Sequence, residues 1–477
     1  KSNKIRAISI MRQLHIFILS IFILLSCERQ NTLLKDFVQK EDDAFWFEII
    51  NVVKGDSWKE YIVKMVSQEW LTSNDVEETE WWHWVRIVVP NDVEESEALF
   101  FIGGGSHKSK APASAEPALV QIALATKSIV ADISNIPFQS LIFKNDDFGE
   151  RYEDDIIAFG WRQFVENGAK DQDAKWLAHL PMTKAVVRGM DVIQEISKLE
   201  NKSVDRFVTA GGSKRGWTTW CTAIADDRIM AIIPIVIDML NVEPSFNHHW
   251  KCYGAWSHAI DSYVNEGVMD WMGSKEYDRI NEIVEPFSFR EQLTLPKFLI
   301  NATGDEFFVT DSWQFYWDEL QGEKYLQYIP NANHGLRTNA GEYNMKSLTA
   351  FYKAVISDSD RPQYNWHVSN DSIYLNVEHT LNSDYSIKQW EAVNNEARDF
   401  RVDVIGRSWT STDIPKSANG RYAVKFAQPE NGYKAGLLEV TFNPESDIPF
   451  TFTSGTVVSP NTFPFGDYVS KNPKGTR

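Results

Sequence analysis

The chain has 477 residues, of which 43% are hydrophobic, and a formal net charge of −18. A chain of this length buries a large core and is long enough for more than one domain. Such an acidic chain, with no basic cluster to offset it, repels nucleic-acid phosphates and argues against nucleic acid as a partner.

At the N-terminus, Lys1, Lys4, Arg6 and Arg12 flank the start of an apolar stretch, Ile16 to Leu25, that runs into Leu24-Leu25-Ser26-Cys27. The stretch is too short for a transmembrane helix and has the form of a signal-peptide core. Its end resembles a bacterial lipoprotein cleavage site, at which Cys27 is lipidated and becomes the mature N-terminus. A secretory signal with an incidental cysteine is the alternative, and Met11 is a candidate natural start. Residues 1–27 are therefore expected to export the chain and anchor it to the membrane. With Glu28 rather than Asp following the cysteine, the outer membrane of a Gram-negative envelope is the expected destination.

Tyr61 to Val66 and Trp84 to Val89 read as the antiparallel opening strands of a sheet. Glu97 to Ile102 reads as a buried strand that runs straight into Gly103-Gly104-Gly105-Ser106-His107. A glycine loop there lets backbone N–H groups, those of Gly104 and Gly105, approach a substrate oxygen as an oxyanion hole; a simple turn is the plainer reading. Strand and helix then alternate: Leu141 to Phe143, a helix from Thr183 to Leu199, Phe207 to Ala210, a helix after Ser213, and Ala231 to Ile237. That alternation predicts a mostly parallel sheet with helices on both faces.

Between the strand at Phe207 and the following helix lies Gly211-Gly212-Ser213-Lys214-Arg215-Gly216. A serine on a glycine-flanked strand-to-helix turn has the setting of a nucleophile elbow, with the N–H of Lys214 as a second oxyanion donor. Arg215 occupies the place where the second glycine is expected, and Gly216 comes one residue late. Ser213 as an ordinary helix N-cap is the alternative. A serine hydroxyl is a weak nucleophile, so catalysis requires a His base and a carboxylate to orient it.

Both partners have candidates downstream. Residues 242–290 interrupt the pattern with aromatic-rich, helix-like segments such as Tyr263 to Met272, expected to form a cap over the sheet. Phe298 to Ile300 then reads as a strand, with Asp305 on the loop beyond it. A helix is expected near Ser312 to Leu320, then a last strand and His334 just past it. Ser213, Asp305 and His334 follow the order nucleophile, acid, base, each on a loop after a strand. Asp311 and Asp238 are rival acids; Asp305 is preferred because it lies nearest the end of the strand that supplies the acid in this fold.

Ser357 to Pro362 reads as a linker between residues 28–356 and residues 363–477. Beyond it the apolar period switches to two at Ile373, Leu375 and Val377, at Phe400, Val402 and Val404, and at Tyr422, Val424 and Phe426. Runs at Leu437 to Phe442 and Phe450 to Thr453 follow the same style, and together they predict a β-sandwich-like domain. Of the three cysteines, Cys221 and Cys252 read as buried free thiols in preference to a pair. His248, His249, Cys252 and His258 match no zinc spacing, so neither a metal nor a cofactor is expected.

Several stretches together resemble the PhoPQ-activated pathogenicity-related proteins, a branch of the α/β-hydrolase superfamily. They are Trp81-Trp82-His83-Trp84, the Gly103 to Gly105 loop, Arg151-Tyr152-Glu153-Asp154-Asp155, and Leu180 to Arg188. Further on come Ser213-Lys214-Arg215-Gly216-Trp217, Pro234 to Asn241, Pro296 to Phe308 and Gly322 to Tyr325. The resemblance spans roughly Leu34 to Ile356. Two departures are Gly212, where the family carries alanine, and Glu285, where it carries Asp before Pro286. The resemblance implies an α/β-hydrolase fold and supports the site more than the reaction; with the leader and the Ser-Asp-His order, the expectation is an exported serine hydrolase acting on an ester, amide or peptide substrate. A non-catalytic binding or signalling protein on the same scaffold is the alternative, and the oligomeric state stays open.

Overall fold

The computed structural model describes residues 32–343, 345–378 and 384–477. The leader and Cys27 lie outside the described residues. Nine strands build the central sheet: β1 (Trp46–Lys54), β2 (Trp58–Glu69), β3 (Glu80–Pro90), β4 (Glu97–Ile102), β5 (Ile129–Ile133), β6 (Arg206–Gly212), β7 (Ile229–Ile235), β8 (Lys297–Ala302) and β9 (Lys324–Ile329). Their spatial order is β1-β2-β3-β5-β4-β6-β7-β8-β9. The first three pair antiparallel; from β5 to β9 all neighbours are parallel.

Alternation along the strands creates two cores, because successive side chains point to opposite faces. Ala98, Phe100 and Ile102 of β4 face one core with α1 (Thr32–Gln39), α4 (His179–Leu199) and α5 (Lys214–Ala225). Leu99 faces the other, with α2 (Pro117–Thr126) and α8 (Lys346–Ile356). Helix α3 (Asp154–Glu166) belongs to the same core but packs on the short helical segments Asp261–Asn265 and Val268–Trp271. Between β7 and β8 the insertion contains α6 (Val242–Tyr253), α7 (Lys275–Val284) and several short turns.

Two helical expectations need correction. The segment Tyr263 to Met272 is split into Asp261–Asn265 and the 3-10 turn Val268–Trp271, because Gly267 between them sits at φ 67°. Ser312 to Leu320 forms two 3-10 turns instead of one helix. Tyr316 breaks it at φ −145°, holding its ring in the core while its hydroxyl reaches Asp238.

Beyond residue 363, β10 (Tyr364–Ser369), β11 (Ser372–Val377) and β14 (Arg421–Lys425) form one antiparallel sheet. A second contains β13 (Thr410–Ile414), β12 (Tyr385–Asn394), β15 (Tyr433–Phe442) and β16 (Phe450–Thr453), with β17 (Val457–Ser459) also on β15. The sheets share a core through Ile373, Leu375, Tyr422, Leu438 and Val440, and that core is continuous with the one under α8. Phe450 lies 5.4 Å from Phe298 and 5.1 Å from Tyr325 between ring centroids. The segment read as a linker is fastened: Arg361 pairs with Glu323 at 2.5 Å, and the Tyr325 hydroxyl donates to the Pro362 carbonyl at 2.8 Å. The strand expected at Phe400, Val402 and Val404 is absent. Phe400 is buried, and Val402–Ile405 is a helical turn whose Val402 N–H donates to the Gly304 carbonyl at 3.0 Å. Val402 docks on the loop after β8, so its alternation reflects docking, not a sheet ladder.

Candidate active site

Register places the carboxyl ends of the parallel strands at one edge. Ile102 aligns with Gly211, Gly212 with Ile235, Ile235 with Ile300, and Ala302 with Ile329. The loops carrying Gly103, Ser213, Asp238, Asp305 and His334 therefore open on the same side. The chain turns from β4 to β5 on one flank and reaches β6 on the other, so the crevice between β4 and β6 is the topological switch point where ligands bind in open α/β sheets.

Ser213 sits there at φ 59° and ψ −127°, a sparsely populated conformation for a non-glycine residue. It is held by its own N–H, which donates to the Ile235 carbonyl at 2.8 Å. Two glycines make the bend possible. A Cβ on Gly211 would meet the Arg215 carbonyl oxygen at 2.6 Å, and one on Gly216 would meet Ile237 at 2.8 Å and the Gly211 oxygen at 2.9 Å. The glycine one place late is thus the one that closes the elbow. Gly212 has only Val236 at 3.9 Å, so alanine fits there.

Gly103 anchors the glycine loop by donating to the Ile133 carbonyl at 2.7 Å, and the Gly104 carbonyl accepts from Asn135 N–H at 2.8 Å. The N–H groups of Gly104, Gly105 and Lys214 have no acceptor in the protein among the described residues. Lys214, the residue after the serine, is buried, with its ammonium 2.9 Å from Glu153 and 3.1 Å from Asp154. Arg215 reaches the same Glu153 carboxylate at 2.5 Å. Burial raises the pKa of Glu153, but Lys214 and Arg215 outweigh it and hold the carboxyl at about 2.

The structure brings Asp305 and His334 together. The buried Asp305 carboxylate stands 2.8 Å from His334 Nδ1 and accepts the Phe307 N–H at 2.7 Å. His334 is fixed further by its N–H to Glu306 at 2.7 Å and by the Phe307 ring, 4.2 Å away between centroids. With Nδ1 on the carboxylate, Nε2 is the nitrogen left to accept a proton. No hydrogen bond joins Ser213 to His334 among the described residues.

The rival acids have other partners. Asp311 is buried against His248 at 2.8 Å and Arg398 at 2.6 Å; burial opposes its charge, but Arg398 and His248 hold its pKa far below the usual range. Asp238 accepts the hydroxyls of Tyr316 and Tyr328, each at 2.5 Å, and burial pushes it up to about 7 despite those bonds. His249 accepts the Ser257 N–H at 3.0 Å, so the histidine cluster of α6 has partners within the fold. Cys221 and Cys252 are free and buried. Sequence reasoning gave no role to Glu153, although its acidic run was visible. It missed Arg398 altogether, whose ligand lies 87 residues away.

A doubly wound sheet, a strained serine at its switch point and an Asp–His pair at the same edge define an α/β-hydrolase fold. Residues 34–401 match the model of the PhoPQ-activated pathogenicity-related proteins, and the chain belongs to that family. The match runs past Ile356 to include Arg398 and Arg401. Autocrine proliferation repressor protein A of Dictyostelium discoideum is 35% identical over 469 residues, covering 93% of this chain and 94% of that protein. Among solved structures, an acetyl xylan esterase from Paenibacillus sp. R4 covers 68% of this chain and 92% of its own, at 13% identity and a TM-score of 0.46. A glucuronoyl esterase from Solibacter usitatus covers 69% and 93%, at 12% identity and a TM-score of 0.41.

Proposed function

We propose that the chain is a serine hydrolase of ester or amide bonds, with Ser213, His334 and Asp305 as its triad. The observation that carries this reading is the His334–Asp305 pair, 2.8 Å apart on loops at the sheet edge shared with the Ser213 elbow. Ser213 Oγ attacks the substrate carbonyl carbon and passes its proton to His334 Nε2, while Asp305 keeps the proton on Nδ1 in place. The carbonyl oxygen, now an anion, meets the N–H groups of Gly104, Gly105 and Lys214. His334 then protonates the leaving group, and water repeats the sequence in reverse to free the acid. Hydrogen bonds between nucleophile and base commonly tighten only when substrate binds, so a free elbow serine is compatible with this chemistry.

A fluorophosphonate probe tests the reading. It is expected to label the folded wild type and to fail on Ser213→Ala. Absence of labelling on folded wild type supports the second reading, a signalling or binding protein on this scaffold. That reading draws on the relative from Dictyostelium discoideum, which is named a proliferation repressor. Export and lipidation at Cys27 are part of the proposal and rest on the leader's sequence.

A further inference from the structure

We infer that Glu153 is a positioning residue that fixes the two halves of the oxyanion hole relative to one another, an inference that rests on the hydrolase reading. The two halves come from distant parts of the chain: the loop after β4 and the elbow after β6. Backbone N–H groups stabilise an oxyanion only if both halves hold their spacing to a few tenths of an ångström while charge develops. The glycines of the loop carry no side chains to enforce this, and the elbow's Lys214 and Arg215 are cations that need a shared anion between them. Glu153 and its partners supply the connection.

On the elbow side, the Glu153 carboxylate takes the Lys214 ammonium at 2.9 Å and the Arg215 guanidinium at 2.5 and 2.7 Å. On the loop side it accepts Gln139 Nε2 at 2.7 Å, and that same nitrogen donates to the Gly105 carbonyl at 2.6 Å. Gln139 Oε1 in turn accepts the Glu153 N–H at 2.7 Å, so the two residues grip each other through side chain and backbone. Arg215 makes a second crossing. Its Nε donates to the Ile136 carbonyl at 2.6 Å, and the Ile136 N–H donates to Gly103 at 3.1 Å. Its guanidinium also lies where a Cβ on Gly104 would be, 2.6 Å away. The planar fork of Arg215 and the ammonium of Lys214 both need one acceptor that stays ionised, and a carboxylate shared among three donors is that acceptor.

Glu153 also stands at φ 48°, ahead of α3, an unfavourable backbone conformation for a glutamate. The surrounding bonds over-determine it. A carboxylate needed only to neutralise two cations has no use for such placement; one that must meet the glycine loop and the elbow at once does.

The test uses the full chain and an activated ester such as p-nitrophenyl acetate. It measures kcat and KM per labelled serine, together with the inhibition constant of a boronic acid that forms a tetrahedral adduct. Glu153→Gln is expected to lower kcat by about 10²-fold, the scale of losing one oxyanion donor, with KM within about twofold. Boronate affinity should fall in step, and Glu153→Asp should restore part of both. Gln139→Ala, which cuts only the loop side, should show a smaller loss of the same kind and keeps the test open if Glu153→Gln does not fold. Wild-type kcat in either folded variant overturns the inference, as does a loss carried wholly by KM or by melting temperature. A wild type that never reacts overturns the hydrolase reading instead, and the inference with it.

Discussion

Substituting the three buried acids at the sheet edge separates catalysis from architecture, because each is bonded to a different partner. In Asp305→Asn the amide keeps the carboxylate's shape, but its oxygen alone can accept from His334 Nδ1, now at 2.8 Å from the acid. The charge that stabilises the imidazolium is gone and the tautomer is no longer enforced. Loss of a triad acid on this scale costs about 10⁴-fold in turnover, or about 5 kcal/mol of barrier. Stability should change little by comparison, since the imidazole is partly exposed and Phe307 still packs on it. Asp311→Asn is the reverse case. Arg398 is 1% exposed and would keep its charge with its carboxylate partner removed. Stranding a buried ion in this way costs about 3–5 kcal/mol of stability, while turnover per folded molecule should stay near wild type. Asp238→Asn should do least, because burial already leaves that carboxyl half-neutral near pH 7. Turnover of an activated ester and urea denaturation, run side by side on all three, read the two quantities separately. Near-normal turnover in Asp305→Asn, with collapse in a folded Asp311→Asn or Asp238→Asn, refutes the assignment of the acid.

Four further outcomes follow from single contacts. Gly211→Ala should abolish activity and folding, since its Cβ would stand 2.6 Å from the Arg215 oxygen, whereas Gly212→Ala should fold and react normally; equal behaviour on a thermal melt would show that the elbow is looser than described. Burial raises Glu285 from 4.5 to about 7, so the buried carboxyl is tolerated below about pH 4.5 and destabilises the fold increasingly as pH rises through 7. Glu285→Gln should therefore gain roughly 3 kcal/mol relative to wild type between those limits in urea titrations, and parallel pH profiles would contradict it. A chain ending at residue 356 should aggregate, because Phe298, Tyr325 and Phe351 would lose the cover of Phe450 and Phe452; a soluble, active fragment would show that the C-terminal sheets are dispensable. Cys27→Ala should stop incorporation of labelled fatty acid, and unchanged labelling would remove the anchor from the proposal.

The site was legible in the sequence to the extent that each of its chemical groups follows an apolar run. A buried parallel strand leaves an uninterrupted hydrophobic signature, and its loop begins where that signature stops, so Gly103, Ser213, Asp305 and His334 are all marked by position alone. What position cannot mark is the partner of a charge. Asp305 and Asp311 lie on one loop, six residues apart and both buried, and nothing local beyond nearness to the strand end tells which of them faces His334. The answer lies in α6 and in Arg398, elements distant in sequence that claim Asp311 and leave Asp305 to His334.

The same reasoning explains the strand expected at Phe400, Val402 and Val404, which is not there. Phe400, Val402 and Val404 alternate as a strand would, but Asp399 ties Arg401 back at 2.5 Å and Val402 binds the Gly304 carbonyl, so the backbone turns instead of pairing. That turn carries Arg398 to Asp311 and places Arg401 3.2 Å from Ser257, whose hydroxyl donates to the Glu306 carbonyl at 2.6 Å. Glu306 in turn holds the His334 N–H. A segment that looks peripheral by composition thus braces the loops that carry Asp305 and His334. A hydrolase unit drawn to stop at Ile356 would omit it, whereas the family match, running to Arg401, includes it.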